Sequence, residues 1–170
     1  MSLKPLYAKP GHLIRRLQQI AVAIFMEETA DFAITPVQYA ALMAVREHPD
    51  VDVTRLSALI AFDRSTLGNV VERLEAKGWL VRREGQSDRR IKLLRITAAG
   101  RKVLRTIEPA VQRAQQRMLA PIPKRERKRF IEKLEQLVER NNVHSRAPMR
   151  PPNDERSTMR LQSHQAYREG

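Results

Sequence analysis

The chain has no cysteine, few aromatic residues and no long apolar run. These absences narrow the range of functions that it can have. Without a cysteine among 170 residues, it can build neither a disulfide framework nor a thiolate metal site. Its longest apolar stretch, residues 20–26, is too short to cross a bilayer. The first residues lack the basic start, apolar middle and small-residue cleavage site of a signal peptide. We therefore expect a soluble, cytoplasmic protein that does not span a membrane, with no membrane among the partners of its main function.

The motifs of common enzymes are also missing. The sequence has no Gly-x-Ser-x-Gly elbow, no glycine-rich phosphate loop and no paired acidic motif. Its histidines do not share the spacing of metal ligands and are expected to be ordinary surface or pocket residues: His12, His48, His144 and His164. We therefore predict that the chain is not an enzyme and has no metal and no cofactor.

A strong excess of positive charge is the first feature that the sequence does have. Its 32 basic and 19 acidic residues give a formal net charge of +13, which favours a polyanionic partner. Nucleic acid, an anionic membrane surface and an acidic protein all fit this charge. The basic run 124–129 is most simply a solvated helix face, with phosphate or membrane contact as the alternative.

Helical periodicity and capping residues organise the first half of the chain. Apolar residues recur at helical spacing up to Phe32 and predict a long first helix: Leu13, Leu17, Ile20 and Ile24. Thr35, followed by Pro36 and by Gln38, predicts a capping box and a second helix to about Glu47. Two aspartates predict the caps of two short helices, and a glycine predicts the end of the second one: Asp52, Asp63 and Gly78.

The second half begins with a predicted hairpin and continues as helices. Residues 80–84 and 91–96 flank a polar turn at 85–89. Thr97 begins a long helix that Pro109 should kink, and its apolar stripe from Leu104 to Met118 suits either a dimer seam or an intramolecular core. A final amphipathic helix ends near Asn141. The proline-rich and charged residues 143–170 predict a disordered tail.

The predicted pair of short helices followed by a hairpin contains the most informative residues. One stripe of the second helix is apolar, and the opposite face is small or polar: Ser65, Thr66, Gly68, Asn69 and Arg73. Asn69 can donate to and accept from an adenine edge, and Arg73 can reach guanine or phosphate. The hairpin tip carries Arg89 and Arg90 next to Asp88, where a wing could enter the minor groove.

These residues resemble the MarR (multiple antibiotic resistance regulator) family of winged helix-turn-helix transcription regulators. Residues 63–80 look like the recognition helix and first wing strand of that family. The wing signature of the family is an aspartate, any residue, an arginine, five residues, then leucine and threonine or serine. Asp88, Arg90, Ile96 and Thr97 meet it, with isoleucine in the leucine position. The similarity in helix order extends over residues 11–142.

The resemblance implies a mainly α fold with a small β-hairpin wing and a role for each wing residue. Asp88 would hold Arg90 by a charge-assisted hydrogen bond and aim it at the minor groove, while Arg89 would meet phosphate. Helices at about 11–32 and 98–142 would form a dimerisation domain around a winged helix-turn-helix at about 35–97. A homodimer would then set two recognition helices one DNA turn apart on a pseudo-palindromic site.

The resemblance also implies a small-molecule effector. Many regulators of this type bind a small aromatic or phenolic acid between the dimer helices and the DNA-binding lobe. Here the first two helices supply polar and flat apolar side chains: His12, Arg15, Arg16, Gln19, Tyr39 and Met43. The hypothesis is that Arg15 or Arg16 anchors an aromatic carboxylate, with His12 and Tyr39 around its ring. Alternatively, these arginines bind acidic residues or phosphate.

The sequence therefore predicts a DNA-binding transcription regulator, a homodimeric repressor that a small aromatic acid releases from double-stranded DNA. One alternative keeps the fold and makes the chain an effector-independent architectural or activating DNA-binding protein. Another is a basic module for a membrane surface or a protein partner that uses the final helix and the tail. Loss of DNA binding on substitution of Arg90 would favour the regulator, and loss on removal of the residues after Asn142 would favour the basic module.

Overall fold

A computed structural model describes residues 3–85 and 90–150. The fold is mainly helical with a small three-stranded antiparallel sheet, which confirms the predicted fold class. The helices are α1 (Lys4–Tyr7), α2 (Pro10–Glu28), α3 (Pro36–Glu47), α4 (Val53–Leu59), α5 (Arg64–Ala76), α6 (Ala98–Leu119) and α7 (Lys124–Asn141). The strands are β1 (Val51–Asp52), β2 (Leu80–Glu84) and β3 (Lys92–Ile96). Short 3-10 turns follow α2 at Ala30–Phe32 and α7 at Asn142–His144.

The predicted caps begin α3 and α4, which with α5 and the sheet form one lobe of the fold. The Thr35 hydroxyl accepts from the Gln38 amide at 3.3 Å, and the Gln38 side chain accepts from the Thr35 amide at 3.1 Å. Asp52 caps α4 by accepting from the Arg55 amide at 2.9 Å. These bonds satisfy amide groups that have no partner within their own helix. Local side-chain chemistry therefore fixes where α3 and α4 begin.

Two helix ends differ in how closely they follow the sequence pattern. Gly78 ends α5 as predicted: its φ is +68°, and its amide donates to the Glu75 carbonyl at 2.7 Å. Glycine adopts this left-handed conformation without a steric penalty. The first long helix was expected to reach Phe32, but α2 ends at Glu28. Ala33, with φ +47°, turns the chain so that Ile34 enters the core.

The sheet extends the predicted hairpin by one short strand, in the order β1-β3-β2. Leu80 pairs with Ile96 and Glu84 with Lys92 across the hairpin, and Val51 of β1 pairs with Leu94. The sequence pattern left the register open and did not reveal β1, because two residues are too few to show alternation. The added strand ties the wing to the segment that follows α3.

One hydrophobic core joins the helices of the lobe, the sheet and α6. Leu104, Ile107 and Val111 of α6 are buried in it, while Met118 near the end of that helix keeps part of its surface exposed. Of the two uses left open for the α6 stripe, the chain therefore takes the intramolecular one for these positions. The helix runs continuously from Ala98 to Leu119 with Pro109 inside it.

The outer helices leave apolar side chains exposed. On α2, Leu13 and Ile14 are 53% and 59% exposed, and on α7, Leu137 and Val138 are 54% and 59% exposed. Within the described chain, α7 buries none of its residues fully. An amphipathic helix gains stability by packing its apolar side against another element. These apolar faces are therefore not fully covered within the described chain.

The described residues after α7 make hydrogen bonds, and the disorder expected for residues 143–170 stays a prediction. The Asn142 side chain donates to the Met149 carbonyl at 3.0 Å and accepts from the Met149 amide at 2.8 Å. The Arg150 amide donates to the Ala58 carbonyl of α4 at 2.8 Å. Polar hydrogen bonds therefore connect residues 142–150 to one another and to α4, and composition alone does not reveal such bonds. Residues 151–170 of the predicted tail lie outside the described residues.

Candidate nucleic-acid interface

Helix α5 is capped by Asp63, as predicted. The Asp63 carboxylate accepts from the Ser65 hydroxyl at 2.5 Å and from the Ser65 amide at 2.8 Å. These two bonds are the main reason that the pKa of Asp63 lies below its ordinary value of 3.8. The Thr66 amide and the positive charge of Arg146 lower it further. A carboxylate that stays ionised here also interacts favourably with the positive end of the helix dipole.

One face of α5 packs into the core, and the opposite face is available for contact with a partner. Its apolar face is buried in the core and anchors the helix: Leu67, Val70, Val71 and Leu74. The opposite face is open to solvent at four of the predicted DNA-contacting residues: Ser65, Thr66, Asn69 and Arg73. Because α4 and the wing strands hold the other side, this face of α5 can approach a major groove without rearrangement.

Gly68 is the fifth predicted contact residue on α5 and lies half-buried beside this face. Apart from its two chain neighbours and the backbone of its own helix, a methyl group added at its Cα would meet no atom within 4 Å. Glycine inside a helix costs roughly 1 kcal/mol relative to alanine. Packing within the protomer therefore does not explain this glycine, whereas a close approach by a DNA strand would.

The wing is connected to α5 by an ion pair. Arg82 of β2 contacts Glu75 of α5 at 3.1 Å, and Lys92 of β3 contacts Glu84 of β2 at 2.9 Å. Near the tip, the Gly85 amide donates to the Ile91 carbonyl at 3.0 Å. The hairpin therefore leaves the lobe at an angle that α5 helps to fix. The sequence pattern did not identify Arg82 as part of this site.

The predicted residues of the wing tip fall partly outside the described chain. Arg90 is exposed next to β3. Asp88 and Arg89 lie outside the described residues, so the expected hydrogen bond between Asp88 and Arg90 stays a prediction.

The base of the wing is held by Thr97 and Gly100. The Thr97 hydroxyl caps α6 by accepting from the Gly100 amide at 3.0 Å, and it donates to the Gly78 carbonyl at 2.7 Å. A methyl group on Gly100 would lie 2.3 Å from the Trp79 carbonyl oxygen. The first turn of α6 therefore packs directly on the backbone that leads into β2. This contact gives a structural reason for threonine at the end of the wing signature.

A second ion pair attaches the wing to a residue that is distant in sequence. The Arg95 guanidinium of β3 donates to both carboxylate oxygens of Asp50, and this bidentate pair holds the pKa of Asp50 below its ordinary value. Asp50 has φ +64°, a left-handed conformation that aspartate tolerates better than most residues. Sequence periodicity gives no signal for such a pair, because Asp50 lies in the turn before β1 and Arg95 lies 45 positions later on β3.

The six predicted effector residues are divided between two places. His12, Arg15 and Arg16 line an open groove between α2 and α7, whose other walls include Leu13, Phe130 and Leu134. The fourth residue on α2, Gln19, accepts a hydrogen bond from Arg15 at 3.3 Å.

The two effector residues on α3 lie apart from this groove. Tyr39 packs beside Phe25, with ring centroids 5.9 Å apart, and donates to Glu108 at 3.1 Å. Burial, followed by the hydrogen bond to Glu108, raises the pKa of Tyr39. Met43 packs against the core. Phe25 and Arg16 are nine residues apart on α2, which is about 14 Å along a helix. The fold of the chain therefore does not bring the two groups into one pocket.

Two further observations concern metals and membranes. In residues 3–85 and 90–150, no group of three or more histidine, aspartate or glutamate residues is arranged to hold a metal ion. None of the helices in these ranges has the length and apolarity needed to cross a bilayer.

Comparison with known proteins identifies the class to which this lobe belongs. The MarR family model matches residues 34–91, which include α3, α4, α5 and the first wing strand. The transcriptional repressor NicR of Pseudomonas putida is 26% identical over 129 residues, which cover 76% of this chain and 82% of NicR.

Two solved structures are similar over nearly their whole length. The PcaV transcriptional regulator of Streptomyces coelicolor, in complex with its natural ligand, is 32% identical with a TM-score of 0.72, covering 82% of this chain and 96% of PcaV. BpsR of Bordetella bronchiseptica, whose DNA binding is regulated by 6-hydroxynicotinic acid, is 28% identical with a TM-score of 0.73, covering 78% and 94%.

This chain belongs to the MarR family of winged helix-turn-helix transcription regulators. The resemblance found in the recognition helix and the wing is thereby confirmed. Members of this family are DNA-binding transcription factors without enzymatic activity, which agrees with the expectation that the chain is not an enzyme.

Proposed function

We propose that this regulator is a homodimeric repressor that binds a pseudo-palindromic operator and leaves it when a small aromatic carboxylate binds. The observation that carries the DNA-binding part is the exposed face of α5. Its polar residues lie opposite a fully buried anchor, so they are free to reach base edges: Ser65, Thr66, Asn69 and Arg73. Side chains of these types discriminate between base pairs by roughly 1 to 3 kcal/mol for each good contact.

The wing supplies the second DNA contact in this proposal. Arg90 at its tip enters the minor groove beside the half-site, where the negative potential attracts arginine. Asp88 orients Arg90, and Arg89 contacts phosphate. The ion pair between Arg82 and Glu75 at 3.1 Å keeps wing and recognition helix in one arrangement, so both grooves are contacted together.

The dimer forms through the helices that flank the lobe, within a single MarR-type domain of residues 11–142. The exposed apolar residues of α2 and α7 support this assignment, because a second copy would cover them. Two copies related by a two-fold axis present two α5 helices, and half-sites on B-DNA must then lie about 34 to 36 Å apart or a multiple of this. Light scattering in solution should give the mass of two chains.

The effector binds at the rim of the groove between α2 and α7. Arg15 or Arg16 holds the carboxylate bidentately, and His12 lies beside the ring. The regulation of BpsR by 6-hydroxynicotinic acid, an aromatic carboxylic acid, supports this ligand class. Because Tyr39 and Met43 pack elsewhere, we assign the site to the residues of α2. Binding shifts the dimer toward a spacing of the α5 helices that fits DNA less well.

A titration on DNA tests the repressor mechanism. Duplexes recovered from a random pool by binding serve as probes for fluorescence anisotropy, with and without benzoate, hydroxybenzoate, hydroxycinnamate and hydroxynicotinate. We expect at least one acid to weaken DNA binding about 5- to 150-fold, and Arg15→Ala with Arg16→Ala to abolish that response while keeping DNA binding. DNA binding that none of these acids changes would instead favour the effector-independent alternative.

A further inference from the structure

The segment that follows α7 folds back as a hydrogen-bonded arm, which we define as residues 142–150. The Asn142 side chain closes it by bonding both the carbonyl and the amide of Met149, at 3.0 and 2.8 Å. Within this loop, the Ala147 amide donates to the Ser145 hydroxyl at 3.1 Å. One asparagine therefore fixes the shape of the arm, in the way that such side chains stabilise turns.

The end of the arm is attached to the helix-turn-helix. The Arg150 amide donates to the Ala58 carbonyl at 2.8 Å, near the C-terminal end of α4. This carbonyl belongs to the last turn of the helix, where carbonyl groups lack a partner within the helix. The arm thus satisfies a polar group of the DNA-binding lobe while extending from α7.

The arm also brings positive charge to the start of the recognition helix. Arg146 acts on Asp63, the cap of α5, since its charge contributes to the lowered pKa of that carboxyl group. The arm contains two arginines and no acidic residue. Asp63 is required as a cap but would repel a nearby phosphate, and Arg146 offsets that charge.

The position of this charge indicates what it contacts. In helix-turn-helix proteins, the first helix crosses the DNA backbone and the N-terminal residues of the second helix enter the major groove. The arm is attached at α4 and its charge acts on the N-cap of α5, the two parts of the motif that meet the backbone and the groove in such complexes. The arginines of the arm are exposed and on a short, anchored loop, which reduces the entropy lost when they bind.

We propose that the arm is a third DNA-contacting element, in which Arg146 and Arg150 bind the phosphates that flank each half-site. This inference rests on the proposed DNA binding by α5 and the wing, and it assigns a role to residues outside the helices and the wing. Phosphate contacts add affinity that depends on salt and carry little sequence information. The arm therefore strengthens binding without changing which sequence is chosen.

The test compares full-length variants on a duplex selected by the wild-type protein, at several salt concentrations. The double variant Arg146→Ala with Arg150→Ala should bind roughly 5- to 30-fold more weakly. The slope of log affinity against log salt should become shallower by about 1.8 per protomer, since each phosphate contact contributes about 0.9. The sequence preference should stay that of the wild type.

Two controls separate position from net charge. Arg125→Ala with Arg129→Ala removes the same charge from the other end of α7, about 20 to 26 Å along the helix from the arm, and should leave affinity within twofold of the wild type. Asn142→Ala removes no charge but opens the loop, so it should weaken binding by an intermediate factor.

The outcomes distinguish this inference from the proposed function. If the wild type binds its selected duplex and the arm variant binds it equally well with the same salt slope, the arm makes no contact and the inference is wrong. Tighter binding by the arm variant would also overturn it, because the arm would then cover the interface. A wild type that prefers no sequence overturns the proposed function and this inference together.

Discussion

Asn69 lies on the exposed face of α5, one turn after Ser65 and one turn before Arg73. Its amide can donate and accept at once, which is the pattern that an adenine edge offers in the major groove. We expect Asn69→Ala to weaken binding to a selected duplex by about 5- to 150-fold, equivalent to roughly 1 to 3 kcal/mol. The loss should be concentrated at one base pair of each half-site.

Anisotropy with duplexes that differ at single positions measures this effect. Gln112→Ala, which removes an exposed amide from α6, is the matched control and should bind like the wild type. An Asn69→Ala protein with unchanged affinity and unchanged base preference would show that this residue is only helix surface.

At Gly68, substitution by alanine is expected to raise stability and to lower DNA affinity. Since an added methyl group meets nothing within 4 Å beyond its chain neighbours and its own helix backbone, Gly68→Ala should raise the free energy of unfolding by about 0.4 to 1 kcal/mol. The same methyl group should hinder the approach of DNA and weaken binding. Urea denaturation and anisotropy on one protein preparation measure both.

Gly11→Ala is the control for Gly68→Ala, because Gly11 also has open space around it and lies in the first turn of α2. This variant should gain stability without losing DNA affinity. Equal or stronger DNA binding by Gly68→Ala would contradict the close approach that we infer.

At the scale of elements, the contact between α6 and the wing makes the lobe rigid. A methyl group on Gly100 would lie 2.3 Å from the Trp79 carbonyl oxygen and 2.8 Å from the Ile96 side chain. Gly100→Ala must therefore shift α6 or the wing, at a cost of about 1 to 3 kcal/mol in the free energy of unfolding. Chemical denaturation of this variant and of Gly68→Ala, which places the same methyl group in open space, measures the cost of the clash as the difference between their free energies of unfolding. Unchanged stability would mean that α6 and the wing can move apart at little cost in free energy.

The elements that the sequence predicted well are those whose limits depend on neighbouring residues. Caps at Thr35, Asp52 and Asp63 follow from hydrogen bonds over two or three positions. Periodicity similarly located the buried and exposed faces of α5. The pair between Asp50 and Arg95 could not be predicted, because it joins residues that are 45 positions apart.

Three other features could not be read from the sequence pattern. The apolar stripe on α6 fits a core as well as a dimer seam, and the core uses Leu104, Ile107 and Val111. The contacts of residues 143–150 come from hydrogen bonds of Asn142 and Arg150 rather than from apolar packing. The separation of the effector residues into two groups could not be predicted, because sequence spacing within α2 and within α3 does not give the distance between these helices.

At the scale of the whole molecule, three ionised carboxylates link stability to pH. Hydrogen bonds from Arg113, from Arg95 and from the Ser65 hydroxyl are the largest causes that lower the pKa values of Glu28, Asp50 and Asp63. A carboxyl group with a lowered native pKa stabilises the fold above its ordinary value, here 4.5 for Glu28 and 3.8 for the aspartates. That stabilisation is lost as the pH falls through the native pKa.

The free energy of unfolding should therefore decrease as the pH is lowered below the ordinary values of these groups. Urea denaturation at a series of pH values from neutral to acidic measures the trend. Asp50→Asn should be less stable than the wild type at neutral pH and should show a flatter decline, because one of the linked groups is gone. A wild-type stability that is constant or rises toward acidic pH would contradict these ion pairs.

In the proposed complex, two copies of the exposed face of α5 read DNA as one rigid unit. Selection of bound sequences from a random duplex pool by the full-length protein tests this arrangement. We expect a two-fold symmetric consensus whose half-sites are about one helical turn apart. Recovery of an asymmetric single site, or of sequences no different from the starting pool, would contradict it.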